Sequence, residues 1–163
     1  MSGVQSSHRP PRINIRMEQL ILATKVAFAN SFAFYLKASN YHWNVEGMFF
    51  QQLHELFGNI YEEVQGSIDA FAEKIRQLDS YAPGSFARLA ELSQIEDETK
   101  IPPAKVMLER LLNDNDVVIN SLNQMFELAD SNGDQALADW AAARLDAHKK
   151  HGWMLRATLK DRG

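Results

Sequence analysis

Two histidines and two carboxylates in the first half of the chain are side chains of the kind that bind first-row metals. His42 and His54 stand twelve residues apart, and Asp69 and Glu73 follow His54 by fifteen and nineteen residues. Imidazole and carboxylate ligands together suit iron. These four residues are therefore candidate metal ligands and catalytic residues, provided that the elements carrying them can bring them together.

The histidines fall in two predicted helices joined by a short turn. Residues 17–45 contain neither proline nor glycine and are rich in alanine and leucine, which predicts one long helix. Residues 48–79 repeat apolar side chains every three or four positions, which predicts a second, amphipathic helix. Gly47 between them is the usual kind of residue just past a helix end. A tight turn there would fold His54 back towards His42.

The carboxylates form a second, separate half of a site. Asp69 and Glu73 are four residues apart on one face of the second predicted helix. Along that helix, however, His54 and Asp69 are ~22 Å apart at 1.5 Å per residue, whereas metal–ligand bonds are ~2 Å long. A complete site would need two chains, antiparallel across a two-fold axis. The alternative is that the histidines only pack between helices and that the carboxylates face solvent.

The rest of the sequence predicts an all-α, ferritin-like four-helix bundle with a short extra helix between helices 2 and 3. Residues 1–16 contain two adjacent prolines and no apolar periodicity, which predicts a mobile basic tail ahead of a bundle domain at residues 17–160. The Pro83-Gly84 pair breaks the helical pattern. The remaining predicted helices cover residues 86–92, 103–129 and 134–159.

Composition excludes several classes of protein. The 163 residues are 45% hydrophobic, which is typical of a globular domain, and include no cysteine, so disulfides and thiolate sites are excluded. The chain has no Gly-x-Ser-x-Gly elbow and no glycine-rich phosphate loop. No Glu-x-x-His motif is present, which argues against an intrachain di-iron centre. His148 and His151 stand beside lysines, so we expect them at the surface or in the tail.

The charges are unevenly distributed along the chain. The formal net charge is −4, but residues 1–16 carry +3 from Arg9, Arg12 and Arg16, residues 148–163 carry +4, and the remainder carries −11. An acidic body with basic ends is consistent with cation handling by the body and contact with a polyanion such as DNA through the ends. Short basic ends also arise by chance. No apolar run of ~18 residues and no secretory signal is visible. We therefore expect a cytoplasmic protein without a membrane partner.

Taken together, these residues resemble the Dps family, the DNA-binding proteins from starved cells, also called miniferritins. The resemblance covers roughly residues 17–159. It rests on the sequence His42-Trp43-Asn44 with His54 twelve positions after the first histidine, on the Asp69-x-x-x-Glu73 pair, and on the late segment HKKHGWMLRATL. These positions agree with the family pattern without a gap.

The resemblance implies a hollow dodecamer that oxidises iron(II), typically with hydrogen peroxide, and stores iron(III) mineral inside. His42 and His54 would come from one subunit, Asp69 and Glu73 from its neighbour, and each shared site would hold two iron ions. Trp43 resembles the family's tryptophan beside that site. Family members that bind DNA do so through mobile basic tails, so Arg9, Arg12 and Arg16 are the candidate DNA contacts, and such a protein would be nucleoid-associated.

Further residues match family features, and one departs from them. Asp130 and Asp139 stand at the places of acidic iron-entry channels, although an aspartate here can also cap a helix. Glu55 and Glu62 are candidates for mineral nucleation, or for an ordinary solvated face. Many family members carry an acidic residue four positions after the second histidine, where this chain has Gly58. The second iron position would then be weaker, which leaves a DNA-binding or shell-forming protein with weak or lost ferroxidase activity as the alternative function.

Overall fold

The computed structural model describes residues 14–160, and within that range helices are the only regular secondary structure. The sequence prediction of a four-helix bundle with a short extra helix is confirmed. In chain order the helices are α1 (Ile15–Asn44), α2 (Phe50–Gln77), α3 (Phe86–Leu92), α4 (Ala104–Ser131) and α5 (Gln135–Leu159).

The first helix begins earlier than the sequence predicted. Asn14 is the residue before α1, and its side-chain oxygen accepts a hydrogen bond from the Met17 backbone N–H at 3.3 Å. This cap satisfies a backbone donor that the first helical turn leaves free. Arg16, predicted to belong to the tail at residues 1–16, therefore lies in the first turn of α1. The other two tail arginines, Arg9 and Arg12, lie outside the described residues.

The four long helices run antiparallel to their neighbours. α1 packs against α2 and α4, α4 packs against α5, and α3 packs on α1. Tyr41, near the end of α1, donates a hydrogen bond of 2.8 Å to Glu98, just ahead of α4. The end of α1 and the start of α4 therefore share one end of the bundle with the α1–α2 turn. The α4–α5 turn and the end of α2 lie at the opposite end.

A row of polar side chains on α1 fixes the long connection that follows α3. Asn30 is fully buried, and its side-chain oxygen accepts a bond of 2.7 Å from the Gln94 backbone N–H. Lys37 donates to the Glu96 carbonyl oxygen at 2.9 Å and pairs with Asp114 of α4 at 2.8 Å. Burial raises the pKa of Asp114, and the Lys37 ammonium opposes that rise. These bonds satisfy polar groups that would otherwise be costly to bury.

α1 is the most apolar of the four long helices. Among the described residues, it alone is long and apolar enough, by length and composition, to cross a membrane, although the sequence predicted no such segment. Half of that apolar window is buried inside the bundle. Large α1 side chains such as Leu20 and Phe34 are fully buried in the core. Packing against α2 and α4 therefore accounts for the apolar character of α1.

A charged cluster, hereafter the core charge cluster, lies between α2 and α5. The Arg144 guanidinium donates to both carboxylate oxygens of Glu63, at 2.6 and 2.9 Å, and His151 Nε2 donates to the same carboxylate at 2.7 Å. His148 Nδ1 donates to Asn115 Oδ1 at 2.9 Å. The expectation that His148 and His151 lie at the surface is wrong, because they are only 0% and 7% exposed.

Ionisation in this cluster follows from its contacts. Burial would raise the pKa of Glu63, but the hydrogen bonds from His151 and Arg144 outweigh it and hold that pKa well below its usual range. Burial lowers the pKa of His148, and the Arg144 charge lowers it further. His148 is therefore neutral, and its Nε2 faces Arg144 at 3.4 Å as an acceptor.

We predict that Glu63→Gln destabilises the protein at pH 7 by about 2 kcal/mol, because it leaves the buried Arg144 charge without a partner. This figure is below the usual one for buried pairs because the Glu63 side chain is 37% exposed and solvent screens it. A carboxyl group with a lowered folded-state pKa stabilises the fold above its unfolded pKa of about 4.3 and loses that effect as pH falls further.

The difference in unfolding free energy between wild type and Glu63→Gln should therefore be constant near neutrality and shrink below about pH 4. Denaturant unfolding at several pH values measures it. Glu109→Gln, at an exposed position on α4, is the control and should change stability by less than about 0.5 kcal/mol. A difference that is absent at pH 7, or that grows in acid, would contradict the role given to Glu63.

Candidate metal-binding half-sites

The α1–α2 turn brings His42 and His54 into direct contact, as their spacing predicted. Gly47 adopts a φ of +120°, a conformation that side-chain-bearing residues rarely adopt, and its carbonyl oxygen accepts the Phe50 backbone N–H at 3.1 Å. The reversal places each histidine against the backbone of the other. His42 Nδ1 lies 2.5 Å from the His54 carbonyl oxygen, and His54 Nδ1 lies 2.6 Å from the His42 carbonyl oxygen.

This reciprocal pairing fixes the protonation of both rings. A carbonyl oxygen can only accept a hydrogen bond, so each Nδ1 must carry the proton. In the neutral imidazoles the lone pair then lies on Nε2, the nitrogen that His42 and His54 leave for another partner. A backbone acceptor on one ring nitrogen is the usual arrangement that orients a metal-binding histidine.

The two rings are stacked rather than convergent. Their centres are 3.7 Å apart and their planes are tilted by only 15°. Two ring planes with this separation and tilt intersect only on the order of 10 Å from the rings. A metal–nitrogen bond lies near the ring plane and is only ~2 Å long, so one ion cannot bond to both rings. Phe50 extends the stack, 5.1 Å from His54 and tilted by 27°. In this geometry His42 and His54 direct their lone pairs to neighbouring but different points.

The predicted carboxylate ligands lie on the same helix as His54 but far from it. Asp69 and Glu73 are exposed on α2, which is one uninterrupted helix from Phe50 to Gln77. The rise of the helix keeps them ~22 Å or more from His54. Within residues 14–160 no three His, Asp or Glu side chains are grouped so that they could hold a metal ion. A single chain therefore presents an imidazole pair and a carboxylate pair that do not meet.

The predicted nucleation residues share the exposed face of α2 with the carboxylate pair. Glu55 and Glu62 are both exposed, and helical geometry places Glu62 in line with Asp69 and Glu73. The result is an acidic stripe along the helix. Such a stripe attracts cations, and it also suits a plain solvated surface.

Gly58 provides the space that His42 occupies. Gly58 is buried, and a Cβ atom added to it would lie 2.8 Å from His42 Nδ1 and 2.9 Å from Cε1. Any larger residue would force the His42 ring away from its place on His54. The departure from the family pattern is therefore coupled to the histidine pair: a carboxylate at this position and the present pose of His42 exclude each other.

Trp43 follows His42 in α1 and is 64% exposed. It lines an open groove between α1 and α3 and the connection after α3. A large apolar side chain that is this exposed is available for contact with another chain.

The two candidate channel residues lie at the far end of the bundle, on either side of the α4–α5 turn. Asp130 is exposed in the last turn of α4, and Asp139 is exposed in α5, where it accepts a bond of 3.0 Å from Gln135. The cap of α5 is Asp134, which accepts the Leu137 backbone N–H at 3.0 Å. Capping therefore explains Asp134 but neither Asp130 nor Asp139.

Sequence reasoning overlooked an aromatic neighbour of the histidines. The Tyr61 ring centre lies 5.1 Å from that of His42, edge to face at 63°. Tyr61 follows His54 by seven residues, two helical turns, and therefore faces the same way. The seven-residue spacing of His54 and Tyr61 could therefore have predicted this neighbour from the sequence.

We predict that Gly58→Ala destabilises the protein relative to Gly66→Ala by about 1–3 kcal/mol. Alanine normally gains about 1 kcal/mol over glycine in a helix interior, but at position 58 the methyl group meets the His42 ring and overpacks the site. At Gly66, on the same helix, the added Cβ meets nothing within 4 Å. Thermal unfolding of the two metal-free variants measures the difference, and equal stability would contradict the coupling of Gly58 to His42.

Comparisons with known proteins identify the family of this chain. Residues 23–162 match the ferritin-like domain. The chain is 33% identical over 142 residues to general stress protein 20U of Bacillus subtilis, covering 87% of this chain and 98% of the relative. It is 34% identical over 132 residues to a DNA protection during starvation protein of Brevibacillus brevis, covering 81% and 89%.

Solved structures give the same result. Dps from Thermosynechococcus elongatus superposes with a TM-score of 0.87 at 28% identity, covering 90% of this chain and 94% of that one. A Dps protein from Bacillus brevis superposes with a TM-score of 0.85 at 31% identity, covering 90% and 98%. Dps from Vibrio cholerae, described as a member of a broad superfamily of ferritin-like diiron-carboxylate proteins, superposes with a TM-score of 0.84 at 29% identity, covering 90% and 92%. The chain belongs to the ferritin-like proteins and, among them, to the Dps family.

Proposed function

We propose that this chain is a ferroxidase and iron-storage protein that oxidises iron(II), with hydrogen peroxide as oxidant, at sites shared between two subunits. The observation that carries the proposal is the reciprocal pairing of the half-buried His42 and His54, which leaves the Nε2 lone pairs of two stacked rings for another partner. Membership of a family of ferritin-like diiron-carboxylate proteins supports the same chemistry.

The second half of each site comes from a partner subunit. The Asp69–Glu73 pair lies on the same straight helix as His54, ~22 Å away, so one ion cannot bind both pairs within a chain. Two α2 helices packed antiparallel across a two-fold axis would place the imidazoles of one subunit opposite Asp69 of the partner subunit and Glu73 of the partner subunit. Two-fold symmetry then makes two equivalent sites. Such two-fold contacts, combined with further contacts about three-fold axes, would build the hollow dodecamer that the family resemblance implies.

Each site would take two iron ions. Because the His42 and His54 ring planes do not converge within bonding distance, each imidazole serves its own ion. A carboxylate has two oxygens and can bridge the two ions, a role that fits Glu73. The ion near Gly58 lacks a further carboxylate and is held more weakly. Trp43, the exposed residue that follows His42, would be covered by the partner subunit.

The reaction follows from these ligands. Imidazole nitrogens hold iron(II), and carboxylates favour the harder iron(III). Two iron(II) ions supply the two electrons that convert hydrogen peroxide to water without release of hydroxyl radical. The acidic stripe with Glu55 and Glu62 would nucleate the iron(III) mineral. Asp130 and Asp139, at the other end of the bundle, would line the entry channels where neighbouring subunits meet.

We predict that two inactive variants complement each other when they assemble together. His42→Ala/His54→Ala lacks the imidazole half, and Asp69→Ala/Glu73→Ala lacks the carboxylate half. Each alone should lose iron(II) oxidation by peroxide by more than about tenfold, as expected when ligands are removed. In randomly mixed oligomers half of the two-fold interfaces combine the variants, and each of these holds one complete site. About a quarter of the wild-type sites should therefore return.

Co-expression with two different affinity tags isolates the mixed oligomers, and absorbance after anaerobic iron(II) loading and peroxide addition gives the rate. Size-exclusion mass confirms that both parent variants assemble. A mixed oligomer as inactive as its parents would contradict a shared site. Full activity in either parent would remove those residues from the ligand set.

DNA binding is a second candidate function, favoured by the arginine-rich first sixteen residues and by relatives named for DNA protection. An oligomer would present many such tails, so weak contacts with phosphate would add through avidity. We predict a gel shift with DNA at low salt that weakens steeply as salt rises and is lost when residues 1–13 are removed. A shift that survives the truncation would exclude the tail as the contact.

A further inference from the structure

A second reciprocal pair of hydrogen bonds joins α5 to α4. Asn115 on α4 is fully buried, and its side-chain amide donates to the His148 backbone carbonyl oxygen at 2.9 Å. His148 Nδ1 donates in return to the side-chain oxygen of Asn115, also at 2.9 Å. One residue of α4 therefore holds both the side chain and the backbone of His148. The pair lies outside the candidate half-sites, and the proposed iron chemistry does not use it.

The His148 ring is enclosed by other side chains of the bundle. On α1, the Phe34 ring lies edge to face with its centre 5.3 Å away. On α5, the Arg144 guanidinium approaches His148 Nε2 to 3.4 Å, and the ring centre of His151 is 5.3 Å away. The α4 partner is an uncharged amide. The ring nitrogen that α4 leaves free therefore faces a fixed cation.

Two carboxylates on the helices around this ring already have partners. Glu63 of α2 accepts hydrogen bonds from Arg144 and His151. Asp114 of α4 is paired with Lys37 of α1 at 2.8 Å. If the ring took either carboxylate as its partner, it would leave another cation without one. A proton added to the ring would therefore create a buried positive charge without a counter-charge of its own, which is costly.

We propose that His148 is a pH-dependent switch that holds α5 on α4 while its ring is neutral and releases α5 when its ring is protonated. In the neutral ring, Nδ1 donates to Asn115 and Nε2 accepts from Arg144, so both nitrogens are satisfied. A proton on Nε2 removes that acceptor and places a second cation beside the guanidinium. This role is independent of the proposed iron chemistry.

The surroundings of the ring set the direction of the pH effect. Burial lowers the pKa of His148, and the Arg144 charge lowers that pKa further. In the unfolded chain a histidine has a pKa of about 6.5. The released segment therefore takes up a proton at a higher pH than the docked one, so docking is strongest above about pH 6.5 and weakens as pH falls below it. Below that point, one such residue favours release by up to about tenfold for each pH unit.

Release should affect the second half of α5 first. The helices approach closely here, because a Cβ atom added to Gly152 would lie 3.0 Å from Asn115 Nδ2. The exposed face of the same segment carries Lys149 and Arg156. Protonation of His148 would thus add charge to a segment that is already basic. The helices α1 and α2, which hold the histidine pair, should keep their packing.

Hydrogen exchange of the full-length protein, read by mass spectrometry from about pH 8 to about pH 5, measures this release. Observed rates are corrected for the pH dependence of exchange in unstructured peptides. The variant His148→Asn keeps a side-chain donor near the position of Nδ1 and cannot be protonated. Leu122→Ala truncates a fully buried side chain of α4 and keeps the histidine, so it is the control for loss of stability alone.

In the wild type, protection of α5 from residue 144 onwards should fall by up to about tenfold per pH unit below about pH 6.5, whereas protection of α1 should change much less. Leu122→Ala should show less protection at every pH but the same pH dependence. His148→Asn should lose most of the dependence. A wild-type α5 that is equally protected across the range, or an equal fall in His148→Asn, would overturn the proposal.

A second variant tests the same switch with the sign reversed. Asn115→Asp keeps the shape of the side chain and the acceptor for His148 Nδ1, but it adds a counter-charge for the protonated ring. A carboxylate in this contact favours the charged histidine, so docking of α5 should no longer weaken as pH falls through 6.5 and should instead strengthen. The same acid-induced loss of protection in Asn115→Asp as in the wild type would refute the role of His148.

Discussion

The site depends on two hydrogen bonds exchanged across one turn. Each of His42 and His54 donates its Nδ1 proton to the backbone carbonyl of the other, so the rings are held by main-chain atoms of two different helices. Backbone atoms of helices move little, and the rings therefore keep their orientation without a metal. This preorganisation lowers the ordering cost that metal binding would otherwise carry. The two hydrogen bonds require both the turn at Gly47 and the absence of a side chain at Gly58.

The same constraint would link the proposed chemistry to assembly of the subunits. The pairing occupies Nδ1 of two half-buried histidines, leaves their Nε2 lone pairs for another partner, and supplies no carboxylate. The carboxylates that could complete the site lie in the last third of the same stiff helix. At that distance they cannot reach the histidines of their own chain. A rigid helix thus acts as a spacer that makes each half-site useless to its own chain. Iron oxidation would then be confined to the assembled shell, next to the cavity that receives the product.

Much of the fold and part of the candidate site could be predicted from the sequence, because they depend on local sequence patterns and helix geometry. Helix periodicity and the Gly47 break predicted α1, α2 and the convergence of the histidines, and helical rise predicted the separation of Asp69. The burial of His148 and His151 was missed because neighbouring lysines suggested a surface. Their positions in fact continue the buried stripe of α5 through Ala141 and Arg144, at spacings of three and four. The fit of His42 against Gly58 depends on the packing of two helices, which no one-dimensional pattern records.

The core charge cluster shows where this bundle differs from one that holds metal inside. Ferritin-like di-iron proteins place carboxylates and histidines from facing helices around ions in the bundle core. Here Glu63, His148 and His151 come from facing helices in a similar way, but the Arg144 guanidinium lies among them and supplies the positive charge. The guanidinium of Arg144 pairs with the half-buried Glu63 carboxylate, so that this carboxylate needs no ion from solution. The interior therefore needs no metal to balance its charge, and the proposed iron chemistry would take place at the surface that a second subunit covers.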